Sequence, residues 1–294
     1  MPIHDAAMTP GVLRAAFALL LLSVSSAAGA QSSTGPVGIV EHPCAALAPV
    51  PPEVTRFRAE VAAAKAAGRP LPSFTPSYLE IHARWTQERL LQDFFGLCGY
   101  RDENAGLGAP AVDRVVFFGD SITELWRAAD AGFFTESRLN RGISGQTTAQ
   151  MLGRFRQDVV ALRPRAVHIM AGTNDLAGNT GPTTLAWIQA NIRSMVDIAR
   201  ANRIAVILAA IPPATRFGWR PAIRPAAQIE ALNAWLREYA ASERLVFVDY
   251  GPALADGAGG MKAELTTDGV HPNPAAYERM RALAEGALRE ALRR

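Results

Sequence analysis

The sequence predicts an α/β fold, an open parallel sheet covered by helices on both faces, and two observations carry that expectation. From residue 113 onward, short apolar runs flanked by turn residues alternate with amphipathic stretches of helical period, joined by short connections. Most of the runs are almost wholly apolar, as expected of parallel strands buried on both faces, 139–143 being the exception with Asn140, Arg141 and Gly142. With 294 residues and 49% hydrophobic composition, the chain can bury a sizeable core, which excludes a disordered or fibrous protein.

Residues 1–30 read as a secretory signal peptide. Residues 12–24 are apolar with Arg14 as their single basic residue, and they lead into Ala28-Gly29-Ala30, a small-x-small pattern that places cleavage before Gln31. Translation from Met8 would give a shorter signal. The stretch of roughly 13 apolar residues falls short of the roughly 20 that span a bilayer. After signal removal the chain is therefore expected to have no stable membrane span and to be periplasmic or secreted. Residues 31–76 are rich in Pro, Ala, Ser and Gly and read as an extended arm with one short helix near residues 53–67.

Residues 77–294 form the main domain. A leading helix over residues 78–95 carries Leu79, Ile81, Trp85, Leu90, Leu91, Phe94 and Phe95 and is expected to run into the core. Strands are expected at residues 115–118, 139–143, 166–171, 205–211 and 245–248. Helices are expected between them at 183–200, 228–241 and 274–292, the last with Pro274 in its first turn and Asn273 as its cap.

The net charge of +3 comes almost wholly from arginine, since Lys65 and Lys262 are the only lysines. The arginines are scattered among acidic residues rather than clustered with aromatics, so no nucleic-acid partner is expected. Cys44 and Cys98 are the only cysteines; in an exported protein they are expected to bridge, with two unpaired thiols as the alternative. Neither has an adjoining histidine, so they make no metal site.

Ligands of open parallel sheets bind beyond the carboxyl ends of the strands. Gly119-Asp120-Ser121, Asn140-Arg141-Gly142, Gly172-Thr173-Asn174-Asp175 and the pair Asp268 and His271 all fall there. Together they supply what acyl transfer needs. Ser121 at a strand-to-helix turn is the candidate nucleophile, His271 the base, and Asp268, three residues earlier, the acid that orients it. The Ser121 N–H, Gly142 N–H and Asn174 side-chain amide are the candidate donors to a developing oxyanion.

These four blocks resemble the SGNH hydrolase family, also called GDSL esterases and lipases. Ser121, Gly142, Asn174 and His271 match its four naming positions, in the family's order, over about residues 112–292. The stretch from Phe117 through Asn174 is most similar to the branch of the platelet-activating-factor acetylhydrolase catalytic subunits and their bacterial relatives, through the Gly-Ile-x-Gly-x-Thr-Thr pattern at Gly142–Thr148. The resemblance implies a flavodoxin-like three-layer α/β/α sandwich, a five-stranded parallel sheet of order 2-1-3-4-5, and no metal or organic cofactor. It also implies a serine hydrolase of carboxylic esters, with a short-acyl or O-acetyl ester of a carbohydrate or lipid as substrate. A carbohydrate O-acyltransferase with the same triad and a non-catalytic binding protein on the same fold are the alternatives. The oligomeric state has no signal in the sequence.

Neighbouring polar residues have structural readings. Asp120 is expected to brace its turn, Asp175 to cap or brace its loop, and His168 to pack in the third strand. His42 and His82 read as structural or solvent-facing, Ser144 as a turn serine and Trp126 as a packed residue. The loop 212–225, with Arg216, Phe217, Trp219, Arg220 and Arg224, reads either as a wall for the acyl or alcohol portion or as ordinary surface packing.

Overall fold

A computed structural model describes residues 38–66, 72, 73 and 75–294; the segment expected as a signal peptide lies outside the described residues. The chain divides into two units, residues 1–46 and 47–294. In the first, the described residues include one 3₁₀ turn, Pro43–Ala46, with no buried residue. Neither cysteine is free, Cys44 and Cys98 both being disulfide-bonded.

The second unit opens with helices α1 (Pro52–Ala66) and α2 (Pro76–Gln92), which pack on each other. Helix α2 differs from expectation. None of its residues is fully buried, and Leu79 and Leu91 stay exposed, as do Phe94 and Phe95 just beyond its end. From Leu79 through Ile81, Trp85, Leu90 and Leu91 the spacings are irregular, so the apolar residues wind around the helix instead of forming one stripe to bury.

After α3 (Arg101–Ala105) the alternation begins: β1 (Val115–Gly119), α4 (Ser121–Ala129), β2 (Arg138–Gly142), α5 (Thr148–Asp158), β3 (Ala166–Met170), α6 (Thr173–Leu176) and α7 (Leu185–Ala201). It continues with β4 (Ala205–Ala209), α8 (Ala226–Ser242), β5 (Val246–Val248), α9 (Gly251–Leu254) and α10 (Pro274–Arg293). The strands form one parallel sheet in the order β2-β1-β3-β4-β5, as expected. Helices α4 and α10 pack on one face; α7 and α8 cover the other, with α5 against α7.

Successive strand residues point to opposite faces, and β1 shows how both faces are filled. Phe117 packs edge-on against Trp126 of α4, whereas Phe118 packs against Phe155 of α5. Strand β4 stops at Ala209, before the expected 211, because the Ile211 N–H and C=O are taken by the Asn233 side chain instead of a ladder. Helix α10 starts as expected, the Asn273 side chain accepting from the Ala276 N–H and Pro274 occupying the first turn.

The register pairs Gly119 with Gly142 and so sets the ends of β1 and β2 level. A side chain at Gly142 has no room, since a Cβ there would lie 2.2 Å from the Glu124 backbone nitrogen. The first turn of α4 is thereby pressed against the end of β2.

Candidate active site

Strand β1 hands the chain to α4 across a single residue, Asp120. Its carboxylate caps the helix by accepting from the Ile122 N–H at 2.9 Å, so Ser121 becomes the first residue of α4, at the positive end of the helix. The Ser121 N–H is thus among the donors that have no partner within the helix.

The Ser121 hydroxyl lies 2.9 Å from His271 Nε2, and His271 Nδ1 lies 2.7 Å from Asp268 Oδ2. The second half of this relay is made within one tight loop. Asp268 Oδ1 accepts from the backbone N–H groups of Val270 and His271 at 2.9 and 2.8 Å, while Thr266 Oγ1 donates to the His271 carbonyl at 2.8 Å. Gly269 takes a φ of 83°, a left-handed conformation suited to glycine. Burial alone would push the Asp268 carboxyl up, but the hydrogen bond and charge of His271, with the two backbone N–H groups, hold it at about 2. It is therefore ionised at neutral pH and accepts from Nδ1–H, the tautomer in which Nε2 carries no proton where it meets the Ser121 hydroxyl.

The expected oxyanion donors Gly142 and Asn174 come from the end of β2 and from α6. Asn174 sits in α6, after Gly172, whose φ of 127° starts that turn. The Asn174 Nδ2 donates to Gln146 O at 3.0 Å and to Asp120 Oδ2 at 3.2 Å, and its Oδ1 accepts from Asn179 Nδ2 at 2.8 Å. Asp120 is thereby bonded to both Ile122 and Asn174, and burial raises its carboxyl to about 6 despite the Ile122 N–H and the nearby His271. The Gly142 N–H donates to Asn140 Oδ1 at 3.0 Å, and Asn140 Nδ2 in turn donates to the Thr123 carbonyl at 2.6 Å. Ser121 and Asp268 are joined through His271, which touches both, whereas Gly142 and Asn174 each hold partners within the protein.

A buried arginine that the sequence reading passed over supports this region. Arg154 of α5, fully enclosed, donates to Gly119 O at 3.0 Å, Gln146 Oε1 at 2.5 Å and Asp158 Oδ2 at 3.0 Å, and its guanidinium lies 4.2 Å from the centre of the Phe118 ring. It therefore ties the residue before Asp120 to Gln146, whose carbonyl meets Asn174. On the opposite face, Tyr277 of α10 donates to the Ile122 carbonyl at 2.8 Å. Gln146, Asn179 and Tyr277 had no signal in the sequence, because their contributions depend on contacts across long separations.

The structural readings of the neighbours hold. Asp175 accepts from the Thr148 N–H and hydroxyl at 2.8 and 2.6 Å and so braces the start of α5. His168 is buried with its Nε2 2.8 Å from the Tyr250 hydroxyl, Ser144 is engaged by Glu124, and Trp126 is fully enclosed. His82 packs between Tyr78 and Trp85 on α2, and His42 is exposed. In the loop 212–225, Phe217 is buried, but the Trp219 ring lies 6.2 Å from that of His271. Among the described residues no group of His, Cys, Asp and Glu could hold a metal ion, and no helix is long and apolar enough to cross a membrane.

Residues 117–279 match the family model of the GDSL-like Lipase/Acylhydrolase family. The chain is 32% identical over 154 residues to Esterase TesA of Pseudomonas aeruginosa, covering 52% of this chain and 70% of that protein. A GDSL-like lipase of Bacteroides thetaiotaomicron is 43% identical with a TM-score of 0.66, over 68% of this chain and 100% of the other. Axe2, an acetylxylan esterase from Geobacillus stearothermophilus, shares the fold at 21% identity and a TM-score of 0.51, over 61% of this chain and 95% of its own. The family match, with the likenesses to Esterase TesA and to the GDSL-like lipase, shows that the chain belongs to the GDSL-like lipase/acylhydrolase family and is a carboxylic-ester hydrolase.

Proposed function

We propose that the chain is an exported serine esterase in which Ser121 is the nucleophile, His271 the general base and Asp268 the residue that orients it. The observation that carries the reading is the hydrogen-bonded run from Ser121 Oγ through His271 to Asp268, which joins positions 150 residues apart. In the first step the Ser121 oxygen bonds to the ester carbonyl carbon while its proton passes to His271 Nε2. The tetrahedral intermediate then expels the alkoxide, which takes that proton and leaves as the alcohol. Water then adds to the acyl carbon as His271 Nε2 takes its proton, and the second tetrahedral intermediate breaks the bond to Ser121 Oγ, which recovers the proton from His271 as the carboxylic acid leaves.

The negative oxygen of the intermediate is received by the Ser121 N–H and, in exchange for their present acceptors Asn140 Oδ1 and Gln146 O, by the Gly142 N–H and Asn174 Nδ2. An oxyanion accepts hydrogen bonds more strongly than a neutral carbonyl, so the Asn174 hydrogen now directed at the Gln146 carbonyl is the one that turns to it. The substrate is a short-acyl or O-acetyl ester of a carbohydrate or lipid. The acetylxylan esterase with the same fold supports the carbohydrate side only in showing that this scaffold accommodates such an ester. Export is supported by the disulfide-bonded state of Cys44 and Cys98, since such bonds persist in oxidising compartments.

Replacing Ser121→Ala tests the mechanism. Hydrolysis of p-nitrophenyl acetate is expected to drop by about 10⁴-fold or more, with an unchanged circular dichroism spectrum. Full activity in that variant would overturn the assignment.

A further inference from the structure

Trp219 stands beside the base. Its ring centre is 6.2 Å from that of His271, with the planes tilted by 33°. Two contacts hold it in place. Its Nε1 donates to Asn179 Oδ1 at 3.0 Å, and its ring stacks on the buried Phe217 with centres 5.1 Å apart. Asn179 in turn donates to Asn174 Oδ1 at 2.8 Å and to the Gly145 carbonyl at 3.1 Å. A bound indole of this kind has already lost its rotamer freedom and its Nε1–H is already satisfied, yet 39% of the residue remains open to solvent.

The reaction direction decides which part of a substrate that surface meets. The leaving alkoxide receives its proton from His271 Nε2, so the alcohol portion of the ester departs on the side of the imidazole. The carbonyl oxygen is held at the same time by the oxyanion donors. A ring fixed against His271, from which the departing alcohol takes its proton, therefore borders the alcohol.

We infer that Trp219 is the alcohol-side specificity determinant, a platform on which a sugar ring carrying the acetyl ester stacks through its C–H face. The inference rests on the esterase reading above and adds the substrate class. A pyranose has an apolar face of about the area of an indole and a rim of hydroxyls that stays in water, which suits a flat, half-exposed aromatic better than a flexible glyceride does.

The test holds the acetyl group constant and varies the alcohol. Using the full chain, kcat and KM are measured for methyl O-acetyl-xylopyranoside and for triacetin, with the wild type, Trp219→Ala and Trp219→Phe. The expected result is that Trp219→Ala lowers the ratio of kcat/KM for the sugar ester over triacetin about tenfold or more, carried by KM, and that Trp219→Phe restores it to within about threefold. An unchanged ratio with kcat lowered on both esters would overturn the inference, because Trp219 would then be positioning His271 and Asn174. A larger loss on triacetin would overturn it in favour of a lipid-type alcohol. Triacetin hydrolysis by the wild type, lost in Ser121→Ala, reports on the esterase reading by itself. A flat ratio with that activity present therefore removes the platform alone, whereas a wild type that hydrolyses neither ester, or hydrolysis that survives in Ser121→Ala, removes both.

Discussion

The two halves of the candidate site are built in opposite ways. The base half is local: Asp268 and His271 sit three residues apart in one loop, with side chains 42% and 20% exposed, and their geometry is set by hydrogen bonds within residues 266–271. The nucleophile half is long-range: Asp120, Asn174, Gln146 and Arg154 are buried and come from four separate segments. A proton-transfer group can be oriented by a short turn, whereas donors aimed at a developing charge need a scaffold that does not reorganise. The first half is expected to lose activity without losing the fold, and the second to lose the fold first.

The largest expected effect comes from the local half. Asp268→Asn should lower kcat by about 10⁴-fold by disfavouring the required imidazole tautomer, while the urea midpoint corresponds to a stability change under about 1 kcal/mol. A loss of stability comparable to that of a buried charge would show that the loop, too, is part of the scaffold. Next is Arg154→Met, which leaves the buried Asp158 without its cation and removes the donors to Gly119 and Gln146. About 3–5 kcal/mol of unfolding free energy should be lost, read from urea denaturation. A near-neutral result would mean that the buried half does not depend on this pair.

The smallest effect separates the two carboxylates by pH. The folded-state value of Asp120, raised by burial to about 6 from 3.8, means that the folded chain binds a proton more readily than the unfolded one in that window. Its contribution to stability therefore falls as pH rises from about 4 to about 6. Asp268 has the opposite sign: lowered to about 2 by the His271 and backbone hydrogen bonds acting against burial, it contributes stability above about 4 that is lost as pH falls through about 2. Asp120→Asn should remove up to about 3 kcal/mol of pH-dependent change between pH 4 and 6, judged from the slope of stability against pH. An unaltered slope would place the titrating group elsewhere.

The same division decides what could be read from the sequence. Asp268 and His271 were legible because their spacing is their geometry, and Ser121 because a strand ending in Gly-Asp-Ser exposes it at a helix start. Strand positions followed from apolar runs except at β2, whose Arg-Leu-Asn-Arg-Gly is mostly polar, and the order β2-β1-β3-β4-β5 came from family resemblance, since periodicity does not say which strands are neighbours. Gln146 was invisible because it acts partly through its backbone carbonyl, which any residue possesses. Helix α2 misled because its apolar content looked like a core face while its spacing did not repeat. The loop with Trp219 reads equally as a wall for the substrate and as surface packing, because the place of Trp219 beside His271 depends on the path of a segment that has little regular structure.

The tight seat of Gly142 against α4 has a practical corollary for anyone dissecting this enzyme. Its hydrogen-bond donor belongs to the main chain, so no side-chain deletion removes it, and even the smallest replacement, alanine, would drive a methyl group into the Glu124 backbone. An inactive Gly142→Ala protein would thus report a displaced helix and say nothing about oxyanion binding. That donor can be isolated only by editing the backbone itself, exchanging the amide for an ester by semisynthesis so that the N–H disappears and the shape stays.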